Sequence, residues 1–226
     1  MKVTFHGHSC FEIEHRGTRL LIDPFITGNP QAKVKAEELN PDYILVTHGH
    51  GDHVGDTVAI AKRTGATVIA AHELSVWLGK QGVKAHGMAL GGGHAFPFGH
   101  VKMVLALHGS GYEADDQIVY MGPAAGFVLT LDGTTIYHAG DTALFSDMKL
   151  IGRKPIDLAM LPIGDNFTMG PDDALLAAEW LGAKRVIPMH YNTFPLIEQD
   201  GEHFIKQLAE KGIEGHALAP GQSLKL

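Results

Sequence analysis

Seven consecutive residues, Thr47-His48-Gly49-His50-Gly51-Asp52-His53, constrain this chain more than any other stretch of its 226 residues. They follow Tyr43-Ile44-Leu45-Val46, a short apolar run of the kind that forms a buried strand. Three imidazoles and a carboxylate thus arrive together at a strand end, separated by glycines that let the backbone turn tightly. Buried without a cation, several of these groups would stay unpaired, at about 1 to 3 kcal/mol for each. A solvated His-rich loop would avoid that cost, but loops held at strand ends are where chemistry gathers. Imidazole and carboxylate donors suit Zn²⁺, Mn²⁺ or Fe²⁺, whereas copper(I) and cluster sites need thiolates. The lone Cys10 excludes both a Cys-based zinc site and an internal disulfide.

The remaining chain reads as two rounds of one pattern. Val3 to Phe5, Cys10 to Glu14 and Arg19 to Asp23 are expected strands, with a hairpin turning near Gly17. Beyond the Gly28-Asn29-Pro30 breaker and a charged segment around Lys33 to Leu39 comes the strand that carries the His-rich motif. The spacing then predicts a helix over Asp56 to Arg63, a strand over Thr67 to Ala70 and a helix over Glu73 to Lys80. Strands follow at Val83 to His86, Ala95 to Phe98 and Val101 to Leu107, then a hairpin of Phe127 to Leu131 and Thr135 to His138 around Asp132-Gly133. The last third alternates again: strand Leu158 to Leu161, helix Asp172 to Leu181 behind Pro171, strand Arg185 to Pro188, helix Glu202 to Lys211, and closing strands near Ala217 and Leu224. Strands first, then strand-helix alternation, done twice, imply two similar halves whose sheets pack face to face with helices outside. That is an α/β, four-layer αββα sandwich. No linker, repeat or low-complexity tract divides the chain, so residues 1–226 are expected to form one domain.

The sequence resembles the metallo-β-lactamase superfamily, whose hallmark is a His-x-His-x-Asp-His loop after a strand, matched here by residues 48 to 53. The resemblance runs the length of the chain: His108 ends the strand Val101 to Leu107, Asp141 lies in His138-Ala139-Gly140-Asp141-Thr142, and His190 follows Val186-Ile187-Pro188-Met189. It implies that His48, His50 and His108 hold one metal ion, that Asp52, His53 and His190 hold a second, and that Asp141 bridges them. Each of the distant three has an ordinary alternative: His108 as a satisfied core histidine, Asp141 as an N-cap after Gly140, His190 as a plain loop residue. More narrowly, Gly7-His8-Ser9-Cys10-Phe11, the Asp23-Pro24-Phe25 turn and the Pro162 to Gly170 segment look like the small single-domain metal-dependent hydrolases near the ascorbate-phosphate lactonase branch.

Two ions about 3.5 to 4 Å apart lower the pKa of a bridging water towards 7 and stabilise both attacking and leaving oxygens. The expected activity is therefore hydrolysis, with a metal-bound hydroxide attacking an ester-like bond (a lactone, thioester or phosphoester) of a small polar substrate. Zinc is the expected metal, with manganese and iron as alternatives. Asp52, the one acid of the first motif, is the expected catalytic residue, a ligand that also orients the hydroxide or takes its proton. The chain has no Gly-x-Ser-x-Gly elbow, and Cys10 lies in an expected strand, which leaves activated water as the best nucleophile. Asn166 and Thr168, on the loop after the strand Leu158 to Leu161, and His8, at a strand end near the same rim, are the expected substrate contacts; His8 also reads as a histidine that orients a metal ligand and, better still, as a hydrogen-bonded core histidine. A phosphodiesterase or nuclease is the alternative activity, and a non-enzymatic metal-binding module is a third reading. The formal charge of −7 and the absence of a Lys/Arg run argue against nucleic acid. No apolar run reaches the roughly 18 residues of a bilayer span, and no signal pattern opens the chain, so a cytoplasmic protein is expected. The expected partner is a small-molecule substrate, and a homo-oligomer is compatible with the sequence.

Overall fold

The computed structural model describes residues 1–226. In the first half, β1 (Lys2–Gly7), β2 (Cys10–His15) and β3 (Thr18–Ile22) form an antiparallel meander that β4 (Tyr43–Leu45), β5 (Thr67–Ala71) and β6 (Ala85–Met88) extend in parallel. Helices α1 (Gly51–Val54), α2 (Thr57–Thr64) and α3 (His72–Lys80) connect these parallel strands. The second half opens with the hairpin of β7 (Gly93–Phe96) and β8 (Gly99–Leu105), followed by a separate two-stranded sheet of β9 (Gly111–Ala114) and β10 (Gln117–Tyr120). Then come β11 (Ala125–Leu131), β12 (Thr134–His138), α4 (Met148–Ile151), β13 (Leu158–Pro162), α5 (Pro171–Trp180), β14 (Arg185–Met189), α6 (Gly201–Glu210) and β15 (Glu214–Gly215). The last strand, β16 (Ser223–Lys225), crosses back to pair with β1. The two large sheets run β16-β1-β2-β3-β4-β5-β6 and β15-β14-β13-β12-β11-β8-β7.

Strand periodicity splits the first sheet between two cores. Leu20, Ile22, Leu45 and Ile69 join Phe127, Leu129, Met160 and Ile187 of the second sheet, while Leu21, Ile44, Val68 and Ala70 pack with Ile60, Leu74 and Leu78 of α2 and α3. Strands buried on both faces need apolar residues at every position, which is why Leu20 to Ile22 of β3, Ile44 and Leu45 of β4 and Val68 to Ala71 of β5 are unbroken apolar runs. Each fully buried Leu or Ile contributes about 1.5 to 3 kcal/mol. The helices α5 and α6 cover the far face of the second sheet with Ala174, Ala177, Ala178, Phe204 and Leu208. The expected arrangement of two face-to-face sheets flanked by helices is therefore what the chain adopts.

This packing decides where the loops go. The parallel registers Ile22 with Leu45 with Ile69, and Pro162 with Met189, align the carboxyl ends of β3, β4 and β5 and of β13 and β14. Ligands of α/β sheets bind outside such carboxyl ends. The structure also corrects several expected strands. The expected strand Ala95 to Phe98 is instead a turn at its second half, because Pro97 has no amide for the ladder and Pro97-Phe98 close the β7–β8 hairpin. The strand expected at Val83 to His86 begins at Ala85, and β8 stops at Leu105, not Leu107. No strand forms at Ala217, and the short β15 lies just before it. The β9–β10 hairpin was not expected at all.

Candidate metal centre

The His-rich motif leaves β4 and curls at once into α1, a single turn in which the N–H groups of His53 and Val54 both donate to His50 O, at 3.0 and 2.9 Å. That turn brings His48 Nε2 to 3.0 Å from His50 Nδ1 and sets the His48 and His53 rings 4.1 Å apart. Gly49 cannot be larger, since a Cβ there would lie 2.6 Å from Met121 Cβ. His108 follows β8, and its ring sits 5.1 Å from that of His48 and 5.0 Å from that of His50. Asp141 follows β12 across Gly140, whose φ of +62° is the left-handed turn that suits glycine. His190 directly follows β14 with a φ of +55°, a conformation that costs a non-glycine residue about 1 to 2 kcal/mol and is retained mostly where function demands it.

All seven expected ligand residues meet at this rim. Asp141 lies in the middle: its Oδ1 is 3.3 Å from His53 Nε2, and its Oδ2 is 2.9 Å from His190 Nε2 and 3.7 Å from His108 Nε2. Asp52 Oδ2 is 3.9 Å from His190 Nε2. These are close approaches without hydrogen-bond alignment: His53 Nε2, Asp141 Oδ1 and His190 Nε2 are buried and have no hydrogen-bond partner. Metal–donor bonds of 2.0 to 2.2 Å place two donors of a tetrahedral ion about 3.3 Å apart. The spacing of these orphaned atoms is therefore that of donors around a shared cation, and the residues present fit divalent ions. Three groupings of donor atoms within 4.8 Å of one another arise here: His48, His50 and His108; His48, His53 and Asp141; and Asp52, His53 and His190 joined by His8.

Charge supports the same conclusion. Burial, reinforced by neighbouring imidazoles, holds His48 well below the ordinary histidine pKa, and His50 and His108 are lowered by burial as well. Neutral imidazole is the form that binds metal. His53 goes the other way: burial opposes its charge, but the carboxylates of Asp141, Asp23 and Asp52 overcome it and raise its pKa well above the usual value. Burial would raise Asp52 and Asp141, yet surrounding histidines hold both carboxylates well below their usual range. Several ionised carboxylates around one buried ring call for positive charge at the centre of the cluster.

Outer contacts that the sequence reading did not assign hold this arrangement. Asp23, fully buried with a φ of +46°, accepts from Thr47 N at 2.8 Å, Thr47 Oγ1 at 2.7 Å and His53 Nδ1 at 2.8 Å. Its one sequence signal was a carboxylate closing an apolar strand. Ser110 Oγ accepts from Gly49 N at 3.0 Å, and Leu107 N donates to Thr142 Oγ1 at 3.0 Å. Of the expected substrate contacts, Asn166 is exposed, whereas Thr168 is partly buried and turns its hydroxyl to Met169 O at 3.2 Å. Their loop docks on the Asp141 loop through Met169 N to Thr142 O at 2.9 Å. His8 has no exposed surface, and its ring nitrogens meet Thr193 and Asp52.

Two sheets face to face, with a His and Asp cluster where their strand-end loops meet, define a class of metal-dependent hydrolases. The chain belongs to the beta-lactamase superfamily: the family described as Beta-lactamase superfamily domain matches residues 18–191. A UPF0173 metal-dependent hydrolase of Geobacillus sp. (strain WCH70) is 59% identical over 228 residues, covering 100% of both chains. One of Bacillus cytotoxicus is 57% identical over 229 residues, again across 100% of both. Among solved structures, Igni18, a novel metallo hydrolase from the hyperthermophilic archaeon Ignicoccus hospitalis KIN4/I, aligns with a TM-score of 0.91 at 36% identity, covering 100% of this chain and 98% of that one. The chain is thus a metal-dependent hydrolase. No helix is long and apolar enough to cross a membrane.

Proposed function

We propose that this hydrolase uses two divalent ions, zinc first and manganese or iron as alternatives, to cleave an ester-like bond (lactone, thioester or phosphoester) in a small polar molecule. The observation that supports the reading best is the set of buried, partnerless donor atoms on His53, Asp141 and His190, surrounded by Asp52 and three further imidazoles. His48, His50 and His108 would hold one ion, Asp52, His53 and His190 the other, with Asp141 between them. When bound, such a pair supplies activated water at neutral pH and an electrophile for developing negative charge.

The chain's own groups divide the remaining work. Asp52 is the partly exposed carboxylate of the cluster, at 31% side-chain exposure, and is held ionised, so it can accept a hydrogen bond from an attacking water and hold that water in line. Cys10 offers no rival nucleophile: it is fully buried, and burial pushes its thiol well above the usual pKa. Asn166 and Thr168, on a loop fastened beside Asp141, are the proposed substrate contacts. The net charge of −7 favours small substrates over nucleic acid, and the single buried thiol suits the cytoplasm. A panel of lactones, thioesters and phosphoesters, assayed with zinc-reconstituted protein alongside elemental analysis, tests the proposal. Turnover abolished by a chelator and restored by zinc is the expected result. Protein carrying two zinc ions that turns over no member of the panel would overturn it.

A further inference from the structure

His8 occupies a position that substrate contact does not explain. It sits in the turn between β1 and β2 with a φ of +56°, and its side chain has no exposed surface. Every polar atom it carries is engaged. Its backbone N–H donates to Gln31 Oε1 at 3.0 Å, and its carbonyl accepts from His190 N at 2.7 Å. Its Nδ1 lies 2.9 Å from Thr193 Oγ1 and its Nε2 lies 3.1 Å from Asp52 Oδ2. The ring packs 4.0 Å from the ring of His190, and Phe25 and Phe194 each approach it edge-on at 5.6 Å. Gln31 ties the same network to the β14 loop, its Nε2 donating to Tyr191 O at 3.1 Å.

The hydrogen positions follow from the partners. Ionised Asp52 can only accept, so the hydrogen of a neutral His8 ring belongs on Nε2. Nδ1 is then an acceptor, and at 2.9 Å it is nearer to the Thr193 hydroxyl than the other acceptors that hydroxyl can reach, Gln31 Oε1 at 3.3 Å and Tyr191 O at 3.5 Å, so the hydroxyl donates to it. We infer that His8 is a positioning residue for the second ion: its Nε2–H fixes the Asp52 carboxylate, its carbonyl fixes the backbone of His190, and Thr193 fixes its tautomer and ring angle. The inference rests on the two-ion reading above. Outer groups that orient metal ligands are worth roughly 10- to 100-fold in affinity. The donors His48, His50 and His108 make no hydrogen bond to His8, so the first ion should not feel its loss.

Zinc affinities measured by chelator competition on the whole protein test this, with cobalt(II) absorption as a second readout. His8→Ala is expected to weaken the second ion by roughly 10- to 100-fold and leave the first unchanged. His8→Gln, which keeps an N–H donor at similar reach, is expected to restore most of that affinity and leave the cobalt band positions in place. Thr193→Val removes the partner of Nδ1 and is expected to weaken the second ion by several-fold. Should His8→Ala fail to fold, His8→Gln and Thr193→Val decide the matter. Unchanged second-ion affinity in both His8→Ala and Thr193→Val overturns the inference, as does equal weakening of both ions. A cobalt spectrum in His8→Gln showing a lost ligand would make His8 a direct ligand and overturn it too. A wild type that binds no zinc would instead defeat the two-ion reading itself, and this inference with it.

Discussion

The two halves of the donor cluster are braced very differently. Around Asp52, His53 and His190, the outer contacts are direct: Asp23 holds His53 Nδ1 at 2.8 Å, and His8 holds Asp52 at 3.1 Å and the His190 backbone at 2.7 Å. Around His48, His50 and His108, only the His48 ring has an outer partner, Thr47 Oγ1 at 3.0 Å from Nδ1, and that hydroxyl passes its own hydrogen on to Asp23; the other braces are to backbone, Ser110 Oγ at Gly49 N and Thr142 Oγ1 at Leu107 N. His50 and His108 are only partly buried, and beyond the cluster their rings have no hydrogen-bond partner. One half is thus tied back into the fold through the His53 ring, the Asp52 carboxylate and the His190 backbone, although the His190 ring has no hydrogen-bond partner, and the other is tied back through a single ring, that of His48. Pre-oriented donors bind metal more tightly than donors that must be ordered first. The second ion is therefore expected to be the tight one and the first the exchangeable one.

The largest effect should come from the group both halves share. Asp141→Asn removes a negative charge and turns an N–H₂ towards the imidazoles that now face Asp141 at 2.9 to 3.7 Å. Both zinc affinities are expected to fall by about 100-fold or more, beyond the effect of an outer contact, and the difference between the halves should shrink. Elemental analysis after dialysis checks it. A variant that retains two tightly held zinc ions would show that Asp141 does not lie between them.

Asp23→Asn should sharpen the contrast. The amide keeps one acceptor oxygen for three donors, the Thr47 amide, the Thr47 hydroxyl and His53 Nδ1, so at least one buried donor loses its partner. The expected cost is about 1 to 3 kcal/mol of stability, seen as a lowered Tm in the metal-free protein. Second-ion affinity is expected to fall by roughly 10- to 100-fold through His53, with a smaller loss for the first ion through Thr47 and His48. Equal losses at both ions would contradict the difference in bracing.

These contrasts also explain what could be read from sequence. The His and Asp residues that meet at the rim were legible because four of them are neighbours and the rest follow expected strands, and resemblance gave their order. The strands were legible because burial on both faces writes unbroken apolar runs such as Leu20-Leu21-Ile22. Asp23 was visible but had no readable role, because its partners lie 24 and 30 residues away and only packing of the first sheet unites them. The β9–β10 hairpin escaped for local reasons. Its turn residues Asp115 and Asp116 adopt φ of +45° and +62°, where the usual hairpin signal is Asn-Gly or Asp-Gly. Every residue of β10 is exposed, so the strand shows no alternation of apolar and polar positions.

The smallest effect, and the finest test of the comparison, belongs to Thr47→Val. The two side chains have nearly the same shape, so packing beside Asp23 is kept, and the backbone N–H of residue 47 still reaches Asp23 Oδ1 at 2.8 Å. What disappears is the hydroxyl that accepts from His48 Nδ1 at 3.0 Å and donates to Asp23 Oδ2 at 2.7 Å. His48 loses the partner that fixes its tautomer, whereas His53 keeps its own bond to the same carboxylate. Only the first ion should therefore weaken, by several-fold and at most about 10-fold, the lower end of outer-contact effects. Fold stability should drop by about 1 to 3 kcal/mol, because the buried His48 Nδ1–H is left without a partner. Zinc competition at two chelator strengths separates the ions. If Thr47→Val instead weakened the second ion more than the first, the hydroxyl would be acting through Asp23 on His53, and the first half would have no outer support of its own.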